Sequence, residues 1–264
     1  MLGYPFMQRA LVAGLLVGFL ASYVGPFVVQ RGLGFLGSGL AHAAFGGVAL
    51  GLWLQTEPLW IAVPFTVAVA LAIVWVRDKT PLRHDTAIGI FFAVSMAFGI
   101  ILLYYTEGYA GDAFGVLFGS LLTVKAGDIA IIGVLVAATV ALFPYWGRWA
   151  YATFDPSLAK SDGIQTGKDD YILSAFIAVI IVVSIKVVGI LLIAAFPVIP
   201  AAAARLVTKT FSGMTLLSVA LGMTSAVAGL WISYAFSLPP GPAIILFQAG
   251  CFFVALILGN LRNT

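Results

Sequence analysis

The chain has 264 residues, of which 62% are apolar and only 9% are charged, against about 45–50% and about 25% in a soluble domain. This balance excludes a soluble globular protein and indicates one integral membrane domain over residues 1–264. The net charge of +3 is small, and no basic stretch interleaved with aromatic residues indicates nucleic-acid binding. The single cysteine, Cys251, excludes a disulfide framework and a thiolate metal cluster.

A spanning helix needs about 20 mostly apolar residues, and nine runs approach that length. They are Phe6–Val29, Phe35–Leu54, Pro58–Val76, Thr86–Tyr105, Ile129–Gly147, Tyr171–Ile185, Val187–Ala204, Phe211–Phe236 and Pro242–Leu261. The first is too long for a signal-peptide core, and no small-x-small cleavage site follows it. We therefore predict an all-α, polytopic transmembrane fold with about nine spans. An eight-span fold remains open if one segment is re-entrant, and the boundary near Lys186–Gly189 is the least distinct.

The basic residues fall unequally on the two sides that nine spans define. One side holds Arg31, Arg77, Lys79, Arg83, Arg148, Lys160, Lys168, Arg205, Lys209 and Arg262. The other side holds only Arg9, Lys125 and Lys186. Because basic loops stay in the cytoplasm, the first side is predicted to be cytoplasmic, and so is the C-terminus. The segment Gly108–Lys125 then lies outside, as a re-entrant segment or as a surface loop.

The second span contains His42, the only side chain in the interior of the nine runs whose ordinary pKa is near neutral. Ser38 precedes it by one helical turn, so both lie on one face. Ala43, Gly47 and Gly51 form a ridge of small residues, which allows another helix to approach closely. An ionisable residue at membrane depth indicates function, and a neutral imidazole can bind a passing divalent cation. A histidine that is hydrogen-bonded to a neighbouring carbonyl is the structural alternative.

Two further segments have local chemistry of interest. In the largest cytoplasmic loop, Asp155 suits an N-cap, Pro156 a first helical position and Gly163 a stop. They predict a short extramembrane helix, either a connector or a docking element for a cytoplasmic partner. Pro197 and Pro200 lie within a predicted span and break its hydrogen bonds, either as a packing kink or beside a transport pathway.

The chain lacks the motifs of an ATPase or another enzyme. Gly163–Lys168 is one residue short of a P-loop, and Asp169 stands where Ser or Thr is needed. HExxH, GxSxG and paired intramembrane carboxylates are also missing from the sequence. We therefore expect a transport subunit that leaves any ATP hydrolysis to a separate chain. A self-contained secondary transporter is the alternative of a different class.

Several pieces of the chain together have a familiar pattern. They are Arg31–Ala49, Asp85–Gly89, Leu117–Leu122, Phe154–Gly163, Val188–Leu192, Pro200–Ala203 and Leu238–Gly241. With these pieces in order, the sequence resembles over nearly its whole length the permease subunits of zinc, manganese and iron importers, the ABC-3 family, and Arg31–Ala49 is similar to that family's second-helix signature. The resemblance implies an ATP-binding-cassette (ABC) importer permease fold, in a prokaryotic plasma (inner) membrane.

The resemblance also implies partners and a mechanism. The expected partners are a second copy of the chain, cytoplasmic ATP-binding subunits and an extracytoplasmic metal-binding protein. Transport would be ATP-driven alternating access, with the metal ion as cargo and no permanently bound cofactor. The coupling helix would lie at about residues 154–163, and its docking residues would be Asp155, Pro156, Leu158, Ala159 and Gly163.

The family's second helix has an aspartate and a histidine one turn apart as transient metal ligands. His42 matches the histidine, but Ser38 stands in the place of the aspartate. A hydroxyl is a poorer ligand than a carboxylate for a hard cation, whereas zinc binds imidazole readily. We therefore expect zinc rather than manganese or iron. A non-metal or chelated-metal substrate, and passage of the ion without tight coordination, remain alternatives.

Overall fold

The computed structural model describes residues 4–106 and 121–263, and all the regular structure in these two stretches is helical. The helices are α1 (Pro5–Gln30), α2 (Leu36–Trp53), α3 (Pro58–Lys79), α4 (His84–Tyr104), α5 (Ala126–Ala141), α6 (Trp146–Phe154), α7 (Pro156–Ser161), α8 (Thr166–Ala195), α9 (Ile199–Val207), α10 (Phe211–Phe236) and α11 (Pro240–Asn263). Short 3-10 turns, Leu121–Thr123 and Phe143–Tyr145, precede α5 and α6. The predicted all-α fold is confirmed.

Local chemistry sets several of the helix boundaries. Pro58 and Pro156 open α3 and α7, where a missing N–H costs nothing and the fixed φ suits a helix. The Thr210 hydroxyl accepts a hydrogen bond from the Gly213 N–H (3.1 Å) and caps α10. Ser237, with φ 54°, ends the same helix in the left-handed conformation.

Three helices form the interior of the protein and others surround them. Buried residues make up 72%, 72% and 78% of the most apolar stretches of α1, α2 and α8. The corresponding shares in α3, α4 and α11 are 33%, 22% and 22%. Because lipid is as apolar as leucine, exposed apolar side chains on the outer helices are expected. α1, α2 and α8 are therefore the helices most shielded by other parts of this chain.

Seven helices are long and apolar enough to cross a membrane alone, namely α1, α2, α3, α4, α8, α10 and α11. A bent pair, α5 with residues 143–154, meets the same criteria together and turns by 46°. This pair corresponds to the predicted fifth span. Length and composition alone therefore give eight crossings in the described part of the chain.

The contacts of α8 and α9 add a ninth crossing. Asp170, near the start of α8, pairs with Arg31 at the end of α1, whereas Lys186 pairs with Glu57 at the start of α3. The end of α1 and the start of α3 lie on opposite sides of the membrane. The helix α8 has therefore crossed the membrane between Asp170 and Lys186.

The chain then returns beside α11. Leu192 packs near Gly241 at the start of α11, and the Leu206 backbone packs near Gly259 towards its end. Residues 190–207, interrupted by a turn at 196–198, therefore cross in the same direction as α11. The sixth and seventh predicted spans are thus two passes, and they meet at a break inside α8 rather than at a loop.

Gly189 makes this reversal, with φ 79° and ψ 165°. Only glycine adopts this region readily, and a side chain there costs on the order of 1–3 kcal/mol. We expect Gly189→Ala to lower the thermal midpoint of the purified protein in detergent. Gly133→Ala in α5 is the matched control, because a Cβ there meets open space. Equal midpoints for the two variants would contradict the assigned break.

Most of the predicted segment Gly108–Lys125 lies outside the described residues. Its last part is described, and there Leu121 and Val124 are buried in the main core. Leu121 also lies close to Gly14 of α1. This end of the segment is therefore anchored against the first helix.

Candidate translocation and docking sites

His42 and Ser38 lie on the open face of a buried helix. Fourteen of the 18 residues of α2 are buried, and both Ser38 and His42 are among the half-buried exceptions. The other faces of α2 pack against α3, α4 and α8. The two predicted residues therefore share the one polar, accessible strip of this helix.

The His42 ring is held by the backbone of Ser38 and not by its hydroxyl. Nδ1 lies 2.8 Å from the Ser38 carbonyl oxygen, and because a carbonyl only accepts, Nδ1 carries the proton. The ring of Phe92 packs edge-on at 4.9 Å between centroids. In the neutral imidazole Nε2 then keeps its lone pair, which is the arrangement of a metal-binding histidine. A hydrogen bond from His42 to a backbone carbonyl, which was the structural alternative, is thus compatible with a role of Nε2 as a metal ligand.

The ridge of small residues on α2 packs against another helix of the same chain. A Cβ on Gly47 would meet the Ala62 backbone, and one on Gly51 would meet the Pro58 backbone. The ridge therefore seats α3 against α2. It is not the surface that a second copy would contact.

His42 does not belong to a ready metal-binding cluster in the described part of the chain. Residues 4–106 and 121–263 contain no group of three or more His, Cys, Asp or Glu side chains that could hold a metal ion. The role of His42 as a metal ligand stays a prediction.

The predicted extramembrane helix is present as α7, capped at both ends. The Asp155 carboxylate accepts hydrogen bonds from the Ser157 hydroxyl (2.6 Å) and the Leu158 N–H (2.9 Å). Gly163, with φ 84°, ends the turn, and the Ile164 N–H donates to the Ala159 carbonyl (2.9 Å).

The hydrogen bond from Ser157, followed by that from Leu158, lowers the pKa of Asp155 below its ordinary value of 3.8. Because this pKa is lowered, the charged carboxylate of Asp155 stabilises α7 fully at any pH above the ordinary pKa. That contribution disappears only as the pH falls through the lowered pKa. The cap therefore does not titrate at neutral pH.

The two faces of α7 differ sharply. Ala159 is fully buried, whereas Leu158 is 51% exposed. Nearby Phe154 is also exposed, although its ring packs edge-on against Phe211 at 5.5 Å. Exposed leucine and phenylalanine side chains four positions apart in sequence are the kind of apolar residues that often mark a protein contact.

Pro197 and Pro200 are both buried. Pro197 lies in the turn between α8 and α9, and Pro200 in the first turn of α9. The Pro197 carbonyl lies against Gly25 of α1, and the Pro197 ring lies beside Gly37 of α2. These contacts support the interpretation as a packing kink, and a pathway role stays a prediction.

Two ion-pair clusters in the structure were not predicted from the sequence. On the predicted cytoplasmic side, Asp170 pairs with Arg31 and Arg77, and Arg148 pairs with the buried Asp169 (2.6 Å). On the other side, the Lys186 Nζ lies 3.4 Å from Glu57 and 3.2 Å from Asp128. The only sequence signal was the position of these charges at the ends of apolar runs.

The fold and these sites define a polytopic helical membrane transport protein. The chain belongs to the ABC 3 transport family, whose profile matches residues 3–259. The family expected from the second helix and the later matching pieces is thereby confirmed.

Some relatives of this chain are named for manganese transport and others for zinc uptake. The manganese transport system membrane protein MntC of Listeria monocytogenes is 34% identical over 257 residues, covering 96% of this chain and 91% of that protein. The high-affinity zinc uptake system membrane protein ZnuB of Haemophilus influenzae is 32% identical, covering 96% and 97%. The solved structure of PsaBC from Streptococcus pneumoniae in complex with Fab matches with a TM-score of 0.84 and 32% identity, covering 96% of this chain and 91% of that one.

Proposed function

We propose that this chain is the membrane-spanning permease subunit of an ABC importer for divalent metal ions of the zinc and manganese class, with zinc preferred. The observation that carries the proposal is His42, held through Nδ1 on the open strip of an otherwise buried helix. Family membership over residues 3–259 and the names of the zinc and manganese relatives support the same function.

The ion passes between two copies of the chain, along the strip that contains Ser38 and His42. A second copy supplies the donors that a single chain lacks, because within the described residues no cluster of ligands surrounds His42. Imidazole nitrogen is a favourable ligand for zinc, whereas manganese prefers carboxylate oxygen. With serine in place of the family's aspartate, this donor set favours zinc. The metal is cargo, so no cofactor stays bound.

ATP hydrolysis takes place in separate cytoplasmic subunits, and α7 docks into them through Leu158. An extracytoplasmic protein delivers the metal on the other side. Hydrolysis drives the permease between outward and inward access. The excess of basic residues on the α7 side supports a cytoplasmic position for that side and for the C-terminus, in a prokaryotic cell.

The test is metal uptake into proteoliposomes that contain this chain, its ATP-binding subunits and its metal-binding protein. We expect ATP-dependent uptake, and we expect His42→Ala to lower it at least about tenfold, because a ligand is lost. Zinc, manganese and iron are compared in parallel, with zinc transported best. Tyr104→Ala is the control for removal of a ring, since Tyr104 is 84% exposed and lies in the last turn of α4.

Other outcomes point to other functions. Uptake that His42→Ala leaves unchanged would make this histidine structural. Absence of uptake for all three metals would indicate a chelated-metal or non-metal substrate. Uptake by the chain alone, driven by an ion gradient, would indicate a secondary transporter.

A further inference from the structure

One carboxylate joins three helices on the side of the membrane where α7 lies. Asp170, in the second turn of α8, accepts a hydrogen bond from the Arg31 Nη1 at 2.5 Å and another from the Arg77 Nη2 at 2.9 Å. Arg31 caps the end of α1, and Arg77 lies in the last turn of α3. Charge-assisted hydrogen bonds of this kind are the strong ones. Asp170 therefore ties the ends of α1 and α3 to the start of α8.

The same cluster reaches the docking helix. The Arg31 Nε donates to the Thr153 hydroxyl at 2.9 Å, and Thr153 lies in α6 two residues before Asp155, the cap of α7. The Arg31 side chain is only 12% exposed, so solvent screens these bonds less than it screens surface ion pairs. A continuous chain of bonds thus runs from the α6–α7 segment through Arg31 to Asp170.

The cluster has room to rearrange. A cavity of about 370 Å³ that opens to the surface borders Arg31, Arg77, Thr153, Pro156 and Asp170, so these side chains are not packed tightly on every side. The Arg31 Nη2 is buried and has no hydrogen-bond partner among the described residues. An unsatisfied buried donor is costly, and it could be satisfied in a second arrangement of the same groups. An ion-pair cluster with a purely structural role would need neither this cavity nor an unpaired Arg31 Nη2.

The central helix connects this cluster to the opposite side of the protein. From Asp170, α8 runs through the buried interior to Lys186, which pairs with Glu57 and Asp128 on the other side. We infer that Asp170 is a positioning residue that couples movement of the docking helix to α1, α3 and α8, and so to the opening of the pathway. This inference rests on the proposed function.

The test compares Asp170→Asn with wild type in the reconstituted complex described above. The measured quantity is the number of metal ions taken up per ATP hydrolysed. We expect this ratio to fall about tenfold, while basal ATP hydrolysis stays within about twofold of wild type. Asp170→Glu should restore most of the ratio, because it keeps the charge.

Asp78→Asn is the matched control. Asp78 also accepts a hydrogen bond from Arg77, through Nε at 2.8 Å, but in the described part of the chain it forms no bond to α1 or α8. The same chemical change at Asp78 should therefore leave the coupling ratio within about twofold.

Thr153→Val removes only the link between Arg31 and the docking segment, and it serves if Asp170→Asn fails to assemble. We expect a smaller fall in the ratio for Thr153→Val, and no further fall when it is combined with Asp170→Asn. Independent structural effects would instead multiply in the double variant.

The outcomes separate this inference from the proposed function. Wild-type complex without ATP-dependent metal uptake would overturn the proposed function itself. Normal wild-type uptake, together with an unchanged ratio in Asp170→Asn or in Thr153→Val, would overturn the coupling role alone. The same holds if Asp78→Asn lowers the ratio as much as Asp170→Asn does.

Discussion

We expect Leu158→Asp to abolish metal-stimulated ATP hydrolysis in the assembled complex. Leu158 is half-exposed on α7, and its neighbour Ala159 is fully buried, so the substitution leaves the packing of α7 against the rest of the chain intact. In the proposed docking groove an aspartate would become a buried, unpaired charge, which costs several kcal/mol. Because each 1.4 kcal/mol is about a tenfold change in affinity, the subunits should no longer associate productively. The measurements are stimulated ATPase rate and co-purification of the ATP-binding subunits.

Leu82→Asp is the matched control for this substitution. Leu82 is 40% exposed and lies between α3 and α4, on the same side of the membrane as α7 but away from it in sequence. The same leucine-to-aspartate change there should leave stimulated hydrolysis within about twofold. Stimulated hydrolysis that survives Leu158→Asp, or that Leu82→Asp abolishes equally, would show that α7 is not the docking element.

Much of the fold could be predicted from the sequence, because a membrane restricts a chain to long apolar helices. The positions of the spans and the caps of α7 are determined by residues that are close together in sequence, so local sequence patterns predict them. The break at Gly189 also had a local signal, a glycine beside Lys186 between two short apolar runs. Whether such a break is a kink or a reversal depends on distant contacts, here those of Leu192 and Leu206 with α11.

The ion-pair cluster at Asp170 could not be predicted, because its partners are far away in sequence. Arg31 and Arg77 lie 139 and 93 positions from Asp170, and many other charges occupy the same ends of the helices. Pairing at such distances follows from the packing of α1, α3 and α8. Sequence spacing carries information about neighbours within a helix, not about which helix ends meet.

For the candidate site, the sequence singled out His42 but did not indicate which group holds its ring. His42 stood out because it is a titratable group at membrane depth. The sequence suggested Ser38 as a side-chain neighbour, whereas in the structure its carbonyl oxygen holds the ring. Since every residue type has that carbonyl, the loss of the family's aspartate does not remove the support of His42. It changes only the side chain that lies one turn before His42.

The second large effect is expected from Gly25→Ala in α1. A Cβ at this position would collide with the Pro197 carbonyl and would come within 3.0 Å of the Ala201 Cβ. Neither neighbour is the free end of a flexible side chain, so the backbone of the turn at 196–198 would have to move. Overpacking of a tight contact costs about 1–3 kcal/mol, occasionally more. We expect a lower thermal midpoint, less monodisperse protein and little metal uptake.

Gly250→Ala in α11 distinguishes this collision from a general effect of alanine. A Cβ on Gly250 meets no atom within 4 Å, and alanine is a better helix former than glycine by about 1 kcal/mol, so its midpoint should equal or exceed that of wild type. If Gly25→Ala behaves like Gly250→Ala, the close approach of α1 to the turn is wrong. If only Gly25→Ala fails, the crossing formed by residues 190–207 depends on α1. A single methyl group would then decide whether the broken segment can lie beside the first helix.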